Sequence, residues 1–173
     1  PRFDKALDDR KPESEWDSVV EVIDVIFLEG WCVGCPPLPP WEGPYNGREK
    51  REDPDGTWMK WSARCLESEH RALFERLDGQ IFIAVPSMDT VRESRWLQEQ
   101  KLRKKVEKEG IGEAELPGLM TRNEVLDYVA LFERYTEHML ARMPESSDVL
   151  IARDDAFNYV LERLPAMNKP NGP

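Results

Sequence analysis

Cysteine is scarce: three residues in 173, an odd count that suits a reducing compartment better than a disulfide framework. Long apolar runs are missing too. Uninterrupted ones such as Val25–Leu28 and Ile81–Val85 fall far below the roughly 20 residues of a membrane-spanning helix. No basic stretch followed by an apolar one opens the chain, so secretion is not expected, and the expected location is the cytoplasm. Positive charge is in deficit. Lys and Arg number 24 against 34 Asp and Glu, a net charge of −10 that argues against a general nucleic-acid or membrane-surface binder. No Gly-x-Ser-x-Gly or paired-carboxylate glycosidase pattern occurs.

What is present describes a folded protein. Hydrophobic residues make up 40% and charged residues 34%, too apolar for wholesale disorder. The length suits one domain or the larger part of one. Residue 1 is Pro, which fits either removal of a preceding Met or a chain cut out of a longer one.

Three short apolar runs, Asp24–Leu28, Gln80–Val85 and Asp148–Ala152, read as strands buried on both faces, the habit of parallel sheets. More than fifty residues separate each from the next, room for helical crossovers and too far for hairpins. The expected fold class is therefore α/β. Trp58–Leu77 is expected to be a helix carrying Trp61, Cys65, Leu73, Phe74 and Leu77, stopped by Asp78-Gly79. Ser87 to about Lys108 reads as a long charged helix with a thin apolar stripe of Val91, Leu102 and Val106. Thr121–Met143 has a capping box (Thr121, Glu124), one apolar face, and Pro144 to end it. The loop Gly34–Gly56 holds six of the 14 prolines, and with Trp41, Tyr45 and Asn46 it is either functional or a surface linker. Residues 1–164 are expected to belong to a single domain, with 165–173 a coil tail.

Glu29 closes the first expected strand, where open parallel sheets place ligands. It either holds a magnesium-bound water or substrate hydroxyl there, or caps the next turn. Arg92, Arg95, Lys101, Arg103, Lys104 and Lys105 oppose Glu93 and Glu99 on one helix. Such a helix is either a lid that clamps phosphates or a solvated charged face. Cys32-Val33-Gly34-Cys35 has the C-x2-C spacing of a metal knuckle or a redox pair, and Cys65 and His70 could complete a zinc site.

Taken in order, Pro1-Arg2-Phe3-Asp4-Lys5, Asp8-Asp9-Arg10 and Glu29-Gly30-Trp31-Cys32-Val33-Gly34 resemble the D-glycerate 3-kinase-like P-loop kinases, relatives of uridine kinase and pantothenate kinase. Tyr45-Asn46, Glu52-Asp53-Pro54-Asp55-Gly56, Pro86-Ser87 and the series Arg95, Gln98, Glu99, Lys101, Leu102 continue the match. Phe132–Leu140 and Asp148-Val149-Leu150 carry it to about Asp155. The resemblance implies a three-layer P-loop NTPase-like parallel sheet flanked by helices. It also implies transfer of a phosphoryl group from ATP, with magnesium, to the hydroxyl of a small hydroxy acid such as D-glycerate. Glu29 would then stand near magnesium, and Arg95, with Lys101 on the same helix, would contact the nucleotide phosphates. Arg2, Asp4, Lys5, Arg10 and Asn46 would line the acceptor pocket, where a cation pairs with the acceptor carboxylate.

The departures are equally specific. Nothing in the chain matches the phosphate loop G-x4-G-K-[ST], nor the acidic residue expected after the second strand. Cys35 stands where an aromatic is usual, Ser94 replaces a usual Trp, and Glu107–Leu116 looks like a small insertion. In the implied sheet, the absent first strand lies between the strands at Asp24 and Gln80. Its absence would uncover about five apolar side chains at ~1.5–3 kcal/mol each, which is comparable with the whole stability of a domain. The expectation is thus the C-terminal portion of a kinase, its first strands and phosphate loop missing and inactive alone, its partner being the missing N-terminal half. The alternatives are a non-catalytic homologue that binds a metabolite or a protein, and a zinc-bound interaction module.

Overall fold

A computed structural model describes residues 1–4, 9–109 and 119–164, divided into two units, Pro1–Trp31 and Cys32–Pro173. In the first, β1 (Phe3–Asp4) pairs antiparallel with β2 (Asp9–Arg10), Phe3 opposite Arg10 and Asp4 opposite Asp9. A 3-10 turn, Glu13–Glu15, follows, and the Trp16 indole N–H donates to the Lys11 carbonyl at 2.7 Å. The strand expected at Asp24–Leu28 does not form. A strand buried on both faces needs ladder partners to take its N–H and C=O groups. Among the described residues none pairs with this segment, and Val25, Ile26 and Phe27 are 65%, 80% and 82% exposed.

The second unit runs α1 (Gly47–Glu52), α2 (Thr57–Glu67), α3 (Glu69–Phe74), β3 (Ile81–Ala84), α4 (Met88–Glu109), α5 (Arg122–Ala130), α6 (Glu133–Ser146), β4 (Val149–Arg153) and β5 (Tyr159–Arg163). The fold is α/β, with one mixed sheet of order β3-β4-β5 and helices flanking it. β3 and β4 are parallel, as their spacing predicts, with Ile81 opposite Val149 and Ala84 opposite Ala152. β5, not foreseen, returns antiparallel to β4 through a turn in which Asp154 accepts from the Asn158 amide at 2.8 Å. β3 is not buried on both faces: Ile81 and Ile83, on one face, remain about half exposed, and its second edge is unpaired among the described residues.

The expected helices form with two breaks. Trp58–Leu77 splits at Ser68, whose hydroxyl takes the Arg64 carbonyl at 2.7 Å and whose amide turns to Cys65. Met59, Ala63 and Leu66, at i, i+4 and i+7, face the core of α2, while Trp61 and Leu73 lie exposed. The expected helix Thr121–Met143 opens with its capping box. It then breaks at Leu131–Phe132, where both amides make tighter i→i+3 bonds and the Asn46 side-chain amide donates to the Ala130 carbonyl. Pro144 does not end α6. It sits in the last turn, where only one helical bond is lost, and the helix continues to Ser146. The Arg163 guanidinium closes that end on the Pro144 and Ser147 carbonyls at 2.6 and 2.5 Å.

Cys35, Leu38, Met59, Leu66, Met139 and Met143 form the main core, with Phe82 of β3 packed against it. Met88, Val125 and Val129 form a second between α4 and α5, joined by Val91. Of the expected stripe on α4, Leu102 is instead exposed. The tail 165–173 and most of the expected insertion, residues 110–116, lie outside the described residues.

Candidate functional site

The expected acceptor residues occupy different places. Arg2 and Arg10 flank the β1–β2 hairpin, with Asp4 in β1; Lys5 lies outside the described residues. The Arg2 guanidinium is engaged by both oxygens of Asp17, at 2.8 and 2.9 Å, and this hydrogen-bonded pairing raises its pKa. Glu29 is exposed in an irregular stretch, not at the end of a strand as expected.

Asn46, in the other unit, is already fully used as a cap. Its side-chain oxygen accepts the Arg48 and Glu49 amides at 3.1 and 3.0 Å, and its nitrogen donates to Ala130 O and Glu133 Oε2, each at 2.8 Å. A substrate here displaces bonds that hold α1 to the α5–α6 break. Tyr45 and Asp53 are used similarly. The Tyr45 hydroxyl bonds Glu137, and Asp53 accepts the Trp58 and Met59 amides at the start of α2.

Arg95 lies on α4 with its guanidinium 3.2 Å from Glu99 Oε2 and over the Tyr128 ring at 5.6 Å. Glu99 is 0% exposed and accepts the Met120 amide at 2.8 Å, so this buried carboxylate has two partners. Arg92 pairs with Asp89 and Glu133, and Arg103 donates to Met120 O at 2.9 Å. Lys101 and Lys104 are exposed. Much of the positive charge expected to face phosphates is therefore turned onto the protein's own acids and carbonyls.

Beyond the carboxyl ends of the parallel pair β3–β4 is a cavity of about 460 Å³, the position open parallel sheets give to ligands. Ser87 accepts the Thr90 amide at 3.3 Å and starts α4. The Thr90 hydroxyl donates to Asp155 at 2.5 Å, and Arg153 donates to the Ser94 hydroxyl at 2.8 Å while stacking on Phe157. Asp89, Glu93 and Asp155 make the lining acidic. Such a lining suits a hydroxylated ligand or a cation-bound one, and it repels a bare polyphosphate. Thr90 and Asp155 escaped the sequence reading. The available signals were Ser87 as a cap before a long helix and Asp154-Asp155 directly after a strand.

No group of three or more His, Cys, Asp or Glu side chains suited to a metal occurs among the described residues, so Cys32, Cys35, Cys65 and His70 do not converge as a zinc site there. The buried His138 Nε2 has no hydrogen-bond partner among the described residues. No helix among the described residues is long and apolar enough to cross a membrane. Compared with protein-family models, curated proteins and solved structures, the chain matches none.

Proposed function

We propose that the chain is the carboxyl-terminal part of an ATP- and magnesium-dependent kinase acting on the hydroxyl of a small hydroxy acid, with D-glycerate as the first candidate. The phosphate loop comes from a segment outside these 173 residues. One observation carries the reading: β3 and β4 are parallel, yet among the described residues β3 ends the sheet with an unpaired edge and half-exposed isoleucines. A further parallel strand there is where a P-loop kinase of the resembled type carries its phosphate loop. The apolar stretch from Val19 to Leu28, with Val20 and Val22 94% exposed, likewise lacks the burial its composition calls for. Glu29 then acts near magnesium and Arg95 on the phosphates, once Glu99 releases it. Lys101 adds positive charge along the same helix. Arg2, Asp4, Lys5 and Arg10 serve the acceptor.

The occupied state of Arg95 and Asn46 favours a second reading, a non-catalytic homologue that binds a metabolite or a protein. Measuring ADP release from protein expressed with its upstream coding sequence separates the two. The kinase reading expects turnover that requires ATP, magnesium and D-glycerate together. Binding of the acid without any turnover overturns it in favour of the second.

A further inference from the structure

Cys32 and Cys35 close a tight turn: the Cys35 amide donates to the Cys32 carbonyl at 3.1 Å, and Gly34 takes φ +74°, as the third residue of a type II turn requires. An i to i+3 turn keeps its end Cα atoms within about 7 Å, and a disulfide needs roughly 4.4–6.8 Å. The Cys35 thiol donates to the neighbouring Pro36 carbonyl at 3.5 Å. Gln80 braces the turn from the start of β3, its side-chain amide donating to the Val33 carbonyl at 3.3 Å.

Cys35 is 3% exposed, yet its residue lines a cavity of about 430 Å³ together with Leu66, Arg71, Phe74, Gln80 and Asp148. That cavity opens beside the strand ends opposite the carboxyl-end cavity. A buried thiol in a walled cavity is reached by a small molecule before it is reached by another protein. Arg71 on the lining is paired with Glu75 at 2.7 Å, and Asp148 adds a second carboxylate, so the walls offer polar contacts of both signs.

We propose that Cys32 and Cys35 are a thiol–disulfide exchange site for a small-molecule disulfide, with glutathione disulfide as the probe, admitted through this cavity. The Cys35 thiolate attacks one sulfur of the incoming disulfide, its S–S bond breaks, and one small thiolate leaves. The Cys32 thiolate then attacks the Cys35 sulfur, displaces the second small thiolate and closes the Cys32–Cys35 bond. The two cysteine protons end on the two small thiols, and the two electrons pass from the cysteine pair to the incoming disulfide. The order of attack follows from the cavity, whose lining includes Cys35 and not Cys32. The neighbouring Cys32 thiol also holds the Cys35 thiol below its ordinary range, whereas Cys35 and burial push Cys32 up. Cys65 is also raised, by burial and by Glu69.

The test is a time-resolved thiol map of the protein in glutathione and glutathione disulfide, quenched in acid and read by mass spectrometry, with and without urea. Without urea, the first adduct is expected on Cys35, and it resolves to a Cys32–Cys35 disulfide that retains no glutathione. C32S is expected to hold one glutathione on Cys35, and C35S to react at least about tenfold more slowly. In urea the three cysteines become comparable. Equal rates on all three cysteines without urea, a first adduct on Cys65, or no Cys32–Cys35 linkage at any redox ratio overturns the proposal. The wild-type map decides even where a variant folds poorly. The outcome does not depend on the kinase reading.

Discussion

Arg95 and Glu99 form one ion pair on α4, Nη1 3.2 Å from Oε2, with side-chain exposures of 27% and 1%. Because Glu99 also accepts the Met120 amide, this pair ties the helix expected to cover a nucleotide to the segment entering α5.

Glu99→Ala therefore leaves a half-buried guanidinium and a backbone N–H without their partner. The expected cost is about 3 kcal/mol, read as a lower urea midpoint. Glu99→Gln keeps one acceptor for Met120 and is expected to cost less. Equal midpoints for Glu99→Ala and wild type contradict the pairing.

Asn46→Ala removes a helix cap and the donor that satisfies Ala130 O at the α5–α6 break. A loss of about 1–2 kcal/mol is expected. Asn46→Asp keeps the cap's acceptors but loses the donor and sets a carboxylate beside Glu133, so it too is expected to destabilise. Unchanged urea midpoints in both variants would contradict this capping role.

These residues also show what the sequence could reveal. The β3–β4 parallel pair and the Thr121 capping box were legible because periodicity and caps are local signals. The breaks at Ser68 and Leu131 were not, since each depends on where one hydrogen bond goes, and the second is completed by Asn46 from 84 residues away. Asp24–Leu28 reads as a strand by composition and lacks the neighbour that makes one. The carboxyl-end cavity was not legible: position beyond a strand pointed to Glu29, whose strand does not form, and the Thr90–Asp155 bond joins residues 65 apart.

The Tyr45 hydroxyl, hydrogen-bonded to Glu137 and near Glu133, is pushed up to about 12. Because the folded value lies above the ordinary phenol value near 10, the contribution to stability is complete below about pH 10 and is lost as pH rises toward 12. Alkaline difference absorbance of Glu137→Gln is expected to show one tyrosine ionising at lower pH than in wild type. Identical titrations contradict the Tyr45–Glu137 bond.

Gly34→Ala places a Cβ 1.4 Å from the Gln80 side-chain nitrogen, at a backbone position of positive φ. A side-chain amide can swing aside, so the conformational penalty dominates, about 1–2 kcal/mol. Urea unfolding is expected to show this loss, and the paired variant Gly34→Ala with Gln80→Ala to recover only the steric part. Full recovery in the double variant places the whole cost in the clash.

If, as proposed, a strand carrying a phosphate loop from outside these residues pairs with β3, sequencing the coding region upstream of Pro1 tests it without intermediate steps. The expected result is an in-frame extension carrying G-x4-G-K-[ST]. A start codon directly before Pro1 contradicts it and leaves the binding homologue as the reading.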